Sequence, residues 1–310
     1  MTFALADTVT LDEWSQAAPA LASWQGRLHL AWAGSNGAVN RMSAGDDLVF
    51  GDKETLPVSS RVQFREHPEK SVPPALASTP AALHLAWRDS DNRLGMLAWS
   101  SSGESTRVPV DHMVISSPIA LTASGDEPAL VWRDLSGLQL ARLRDGRMGT
   151  PALFPDRRRM MTPMWLQAQL GYAEELPVRS RNFVAVTPTV EGTMLAWTTW
   201  RGSIVLVPEA GGRFGAPRVL PVRAKSAPAL CSYRGDLVVA WLGRRGRLRV
   251  MRPDRDRSPA QLAARSSVAP ALCVHGDALV VAWARRHPVR SSLRLARLVP
   301  DDAPAPARPE

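Results

Sequence analysis

The sequence predicts an all-β chain folded as a six-bladed β-propeller, closed by its own N-terminal strand and carrying one short inserted helix. Three observations lead there. The first is a repeat: the segment Ala18–Trp32 recurs in copies ending at Trp87, Trp132, Trp197, Trp241 and Trp283. Twelve residues before each of the six Trp stands an Ala: Ala20, Ala75, Ala120, Ala185, Ala229 and Ala271. The second is the spacing, 55, 45, 65, 44 and 42 residues from one Trp to the next. A basal period of 42–45 residues with four short strand patterns per unit is that of propeller blades. The third is strict period-2 alternation bounded by Gly turns, the signature of successive hairpins.

Each element of a unit has a physical reason. Pro-Ala-Leu-small forms the innermost strand, because inner strands converge on the axis and bulky side chains would collide there. A tight Gly turn follows, as at Gln25-Gly26 and Arg234-Gly235. An alternating strand then ends in Ala-Trp, as in Leu83-His-Leu-Ala-Trp87, and its Trp supplies broad apolar area between successive blades. Leu138–Leu143 and Leu293–Leu298 exemplify the third strand, and a second Gly turn leads to an outer strand such as Thr150–Phe154. The sixth unit lacks an outer strand, and Phe3–Leu11 is available to complete it, closing the ring and removing its open edges. Residues 1–300 are therefore expected to be one propeller. Asp301–Glu310 is Pro-rich, cannot donate to a ladder and is expected to be a disordered tail.

Composition narrows the classes of function. The chain has 310 residues, 45% hydrophobic and 22% charged, as in an ordinary globular protein. The net charge of +9 is carried almost wholly by Arg, with Lys only at Lys53, Lys70 and Lys225, and it favours anionic partners. The two cysteines, Cys231 and Cys273, occupy the same repeat position in consecutive copies and are expected to be buried free thiols. No metal-ligand spacing and no cofactor motif is present, and no apolar run reaches the length of a membrane span. The N-terminus lacks the basic and apolar regions of a signal peptide, so a cytoplasmic location is expected unless export is non-classical. Without aromatic and basic residues interleaved on a sheet face, the sequence argues against nucleic-acid binding.

Two insertions, 57–71 and 155–183, fall between an outer strand and the next inner strand. Thr162-Pro163, Met164–Leu170 and Gly171 in the second read as a capped helix. Strand direction alternates within a blade, so both insertions are expected on the face that also carries the loops after each repeated Trp. Those loops are rich in Arg. The opposite face carries Asp46, Asp47, Glu104, Asp126, Glu127, Glu191, Glu209, Asp236 and Asp277. A concave site of one sign concentrates ligands of the other. Arg88, Asp89, Arg133, Asp134, Arg201, Arg244, Arg245, Arg285 and Arg286 are the candidate ligand-binding residues, with Trp165 and Trp200 placed to stack on sugar rings. Guanidinium groups suit carboxylate or sulfate, which they grip bidentately.

The repeated Pro-Ala-Leu-Ala and Gly-Arg-Leu-His-Leu-Ala-Trp motifs resemble the repeats of bacterial sialidase-like and lectin-like β-propellers, over residues 15–300. The resemblance implies architecture. Sialidase Asp boxes of the form Ser-x-Asp-x-Gly-x-x-Trp are absent, Ser43–Phe50 being the nearest trace. The sialidase likeness also implies a Tyr–Glu pair and an acid, for which Tyr172, Glu174, Glu175 and Asp89 are the candidates. Three functions follow. The favoured one is a lectin-like module binding an anionic or polyhydroxylated ligand at the Arg-rich face. The second is a protein-interaction scaffold docking through Met160, Met161, Met164, Trp165 and Leu166. The third is an enzyme acting on a glycan or small anion.

Overall fold

A computed structural model describes residues 3–64, 67–110, 113–115, 117–133, 137–144, 146–155, 184–199, 201–285 and 292–300. Among them the strands form six sheets of four or five strands and one two-stranded hairpin, the β-propeller the repeat predicts. The inner strands are Ala20–Trp24, Ala75–Ser78, Ala120–Ser124, Ala185–Thr189, Ala229–Tyr233 and Ala271–His275, each opening on the repeated Ala. They define blades 1 to 6. In every blade that Ala pairs with the residue just before the Trp, from Ala20 with Ala31 to Ala271 with Ala282. The twelve-residue interval is therefore the register of the first hairpin. Gln25-Gly26 and Arg234-Gly235 turn with φ positive at both residues, as short hairpin loops require.

The N-terminal strand closes the ring. Phe3–Trp14 pairs antiparallel with Ser292–Pro300 as the outer strand of blade 6, three residues longer than the sequence predicts. Each repeated Trp joins a hydrophobic cluster shared with the preceding blade. Trp32 packs with Ala271, Val280 and Leu295 of blade 6, Trp132 with Met96 of blade 2, and Trp241 with Leu206 of blade 4. Trp87, Trp197 and Trp283 do the same with blades 1, 3 and 5. All six indoles are at most 6% exposed. Truncating one to Ala is expected to cost about 3–5 kcal/mol. The fit leaves no slack at Gly95, where a Cβ would run into the Trp87 indole.

Hydrogen bonds that the repeat did not announce tie the blades at the Arg-bearing face. The carbonyl at the left-handed corner of the post-Trp turn accepts the N–H of the residue leaving the outer strand: Gly37 from Ser60, Asn92 from Ile115, Gly202 from Ala224 and Gly246 from Ser266, at 2.7–2.8 Å. A serine ahead of the inner strand then grips the residue after the Trp. Ser15 donates to the Ala33 carbonyl and Ser266 to that of Ala284, while Ser117 and Ser226 accept from the N–H groups of Arg133 and Leu242.

The insertion at 57–71 includes a hairpin, Arg61–Phe64 with His67–Ser71, where the sequence suggested no strands. Ser71 donates to the Gly34 carbonyl, which sets the end of this hairpin beside the post-Trp turn of blade 1. The insertion at 155–183 lies outside the described residues beyond Pro155, as do its expected helix and the tail 301–310. The only helical turn among the described residues is a 3-10 turn, Arg244–Gly246. Both cysteines are free. Burial first of all raises their thiols, that of Cys231 to about 12. No helix among the described residues is long and apolar enough to cross a membrane.

Candidate functional site

Alternation along the strand sorts the candidate arginines. The residue immediately after the repeated Trp turns back into the ring: Ala33, Arg88, Thr198, Leu242 and Ala284 are all at most 5% exposed. Arg88 is thus buried, 3% exposed, with one terminal nitrogen 3.4 Å from the Ile115 carbonyl, and burial pulls its pKa below the usual arginine value. Arg88, expected as a ligand contact, thus lies inside the ring rather than on its surface. Arg133, at the same position, is half-buried. The sequence held a signal for this, since three of the other four occupants are apolar.

The next residue along varies: Gly34, Thr199 and Gly243 are buried, while Asp89 is half-buried. Asp89 spends its carboxylate on its own turn, accepting the Asp91 and Arg93 N–H groups at 2.9 and 2.8 Å. An acceptor committed to two backbone amides has a structural task, and neither a catalytic nor a ligand-binding role is needed to account for it. Arg285, at the same offset after Trp283, is exposed. Asp134, Trp165, Tyr172, Glu174, Glu175, Trp200 and Arg286 lie outside the described residues, so the Tyr–Glu pair and both stacking Trp are not placed. Arg201 is exposed on blade 4, and its carbonyl accepts from Arg223. Among the described residues no three His, Cys, Asp or Glu side chains gather as a metal site.

Two of the predicted arginines, Arg245 and Arg285, meet across a cleft between blades 5 and 6 that encloses about 1000 Å³. The cleft is an inter-blade feature, walled by Ala263–Ser267 of the blade 5 outer strand and its exit, the post-Trp turn of blade 5, and the outer strands of blade 6. Trp283 also borders it, although its side chain is 2% exposed and packed between the two blades. Four further cations line it that sequence reasoning missed: Lys225, Arg247, Arg265 and Arg294. Its lining includes no Asp or Glu, and none of the six cations has an ion-pair partner among the described residues.

Local structure places each of them. Arg245 sits at φ 60° in the 3-10 turn, an uncommon conformation for a residue with a Cβ, and Gly246 follows at φ 70°. A Cβ on Gly246 would come within 2.6 Å of the Ser266 carbonyl, so only Gly lets the turn seat against the outer strand. Arg247 and Arg265 lie directly opposite each other across two paired strands, beside a register shift between Arg247 and Arg249. Like charges so placed destabilise a sheet. Arg294 pairs with Trp283 across the blade 6 strands. Burial first, then the Arg285 guanidinium, pulls Arg294 below its usual pKa, and its Nε is buried without a hydrogen bond among the described residues.

The opposite face is not simply acidic. Three of its carboxylates are matched by cations: Glu209 by Arg142, Glu127 by Arg144 and Asp236 by Arg255. Sequence alone assigned the sign of the loops but not this pairing.

No known family profile matches the chain, and neither does any curated protein. Solved structures do share its fold. AofleA from Arthrobotrys oligospora is 11% identical, with a TM-score of 0.63 over 97% of this chain and 87% of that one. The SapL1 lectin, solved in complex with alpha methyl fucoside, is 10% identical, with a TM-score of 0.63 over 95% of this chain and 98% of its own. The lectin of Aleuria aurantia, described as a six-bladed β-propeller with a fucose recognition mode, is 12% identical, with a TM-score of 0.55 over 96% and 99%. At these identities the likeness is one of fold. It bears out the six-bladed propeller architecture that the resemblance implies.

Proposed function

We propose that this protein is a lectin-like propeller that recognises a carbohydrate at its Arg-bearing face, in the cleft between blades 5 and 6. The observation that carries this reading is the cleft itself, about 1000 Å³ in volume, with six cationic side chains around it. Guanidinium groups reach the oxygens of a sugar with paired N–H donors. The volume is that of a small-ligand site. The names of the fold neighbours lend support: two are lectins, and one of these is described as fucose-specific.

A glycan array probed with the labelled full chain tests the proposal. Retention of some glycans is expected, together with its loss in an Arg245→Ala, Arg285→Ala double variant. An array without signal at micromolar protein would overturn it, as would retention unchanged in the double variant.

A further inference from the structure

We infer that the blade 5–6 cleft takes a glycan segment carrying at least two acidic groups, sulfate or carboxylate, and that the ring holds one such site. This rests on the carbohydrate reading above and deepens it.

The donor and acceptor inventory comes first. Arg contributes five N–H donors and Lys three, and neither side chain accepts. The cleft lining includes no Asp, Glu, Asn or Gln. Of its hydroxyls, Ser266 already donates to the Val268 and Ala284 carbonyls and accepts from the Val268 N–H. A neutral sugar presents hydroxyls, each of which brings a proton that needs an acceptor once water is displaced. In this cleft those protons would find few. Sulfate and carboxylate oxygens only accept, so they match a wall that mainly donates.

The cations also come in two sets. Arg247 and Arg265 oppose each other on blade 5, while Arg285 and Arg294 line the cleft from the two paired strands of blade 6, Arg294 opposite Trp283 and Arg285 two residues beyond that Trp. Each set carries the cost of like charges held together, which an anion between them removes. Two sets on two walls call for two acidic groups on one ligand.

The repeat argues for a single site. Two residues after the Trp the chain has Gly34, Asp89, Asp134, Thr199, Gly243 and Arg285. Facing the Trp on the third strand it has Asn40, Gly95, Gln139, Val205, Arg249 and Arg294. Only blade 6 places Arg at both. Five copies thus lack what the sixth supplies.

Calorimetric titration of the full chain with a disulfated disaccharide, its desulfated counterpart and inorganic sulfate tests the inference, at low and high NaCl. The disulfated sugar is expected to bind at one per chain, at least tenfold tighter than the desulfated one. Arg265→Gln and Arg294→Gln should each weaken it about tenfold, and Arg213→Gln, on an exposed turn of blade 4, should not. Melting curves confirm that each variant is folded; Arg265, on an exposed edge, serves where Arg294 does not tolerate change. Equal binding of both sugars, unaffected by the variants, would overturn the inference while leaving the carbohydrate reading intact. Binding of neither sugar would remove both. Inorganic sulfate competing as well as the disaccharide, or several sugars per chain, would also overturn it.

Discussion

On the turn face of the ring arginine is spent on structure, whereas in the cleft between blades 5 and 6 it is left unspent. Arg142 grips Glu209 through two hydrogen bonds of 3.2 and 2.8 Å; the Glu209 side chain is fully buried and also accepts the Gly212 N–H. Arg252 and Asp256 are both nearly buried and are joined by a further backbone bond of 2.7 Å. In the cleft six cations share a concave wall with no carboxylate in its lining. The same residue type therefore stabilises one region and strains the other. Net charge alone does not reveal which cations are available to a partner.

The largest expected effect breaks the structural side of this contrast. Glu209→Gln leaves Arg142, 21% exposed, facing a neutral amide, and the loss should be about 3 kcal/mol, the lower end of the range for a buried pair that loses one partner. Chemical denaturation should show that loss while sugar binding persists. A smaller fall would mean that Arg142 finds solvent.

Next comes pH, which separates the two regions. His29 is 6% exposed; its burial first, then Arg41 and Arg27 near it on the turn face, lower its pKa from 6.5 to about 4. Between those values the unfolded chain binds more protons than the folded one, so stability falls as pH drops from 6.5 towards 4, by on the order of 3 kcal/mol. His29→Met, which copies Met194 of blade 4, should flatten that slope in melting curves. The cleft owes its charge to guanidinium groups and one lysine, so affinity for a sulfated sugar should stay level over the same range.

How far the sequence foretold all this depends on which residues are considered. The Ala–Trp interval encodes hairpin register, so blade number, inner strands and ring closure were legible. Arg88 and Arg285 looked alike, both just past a Trp, yet one is buried and the other exposed because successive side chains point to opposite sides of a strand. Arg265 comes opposite Arg247 only through a register shift, and Lys225 arrives on the connection between blades 4 and 5. Neither is encoded in a local pattern. The serine ties were visible in the sequence as Ser15, Ser117, Ser226 and Ser266 ahead of four of the six inner strands, but their partners needed the fold.

A subtler effect has the opposite sign to the first. Arg265→Gln relieves the cross-strand repulsion with Arg247, so the folded chain should gain a few tenths of a kcal/mol at low salt, on the scale of about 0.2–1 kcal/mol for such pairs. Added NaCl should shrink that gain by screening. A clear loss of stability would show that Arg265 has a counter-charge after all. The smallest change concerns the thiols. Cys231 and Cys273, both held protonated by burial, should resist alkylation at pH 8 until denaturant is added.

The most direct test is a crystal structure of the chain with the disulfated disaccharide bound. One molecule should lie beside Trp283 with its acidic groups between the Arg247–Arg265 and Arg285–Arg294 sets, and the other five inter-blade clefts should hold none. Density in the axial channel, or repeated around the ring, would contradict the account.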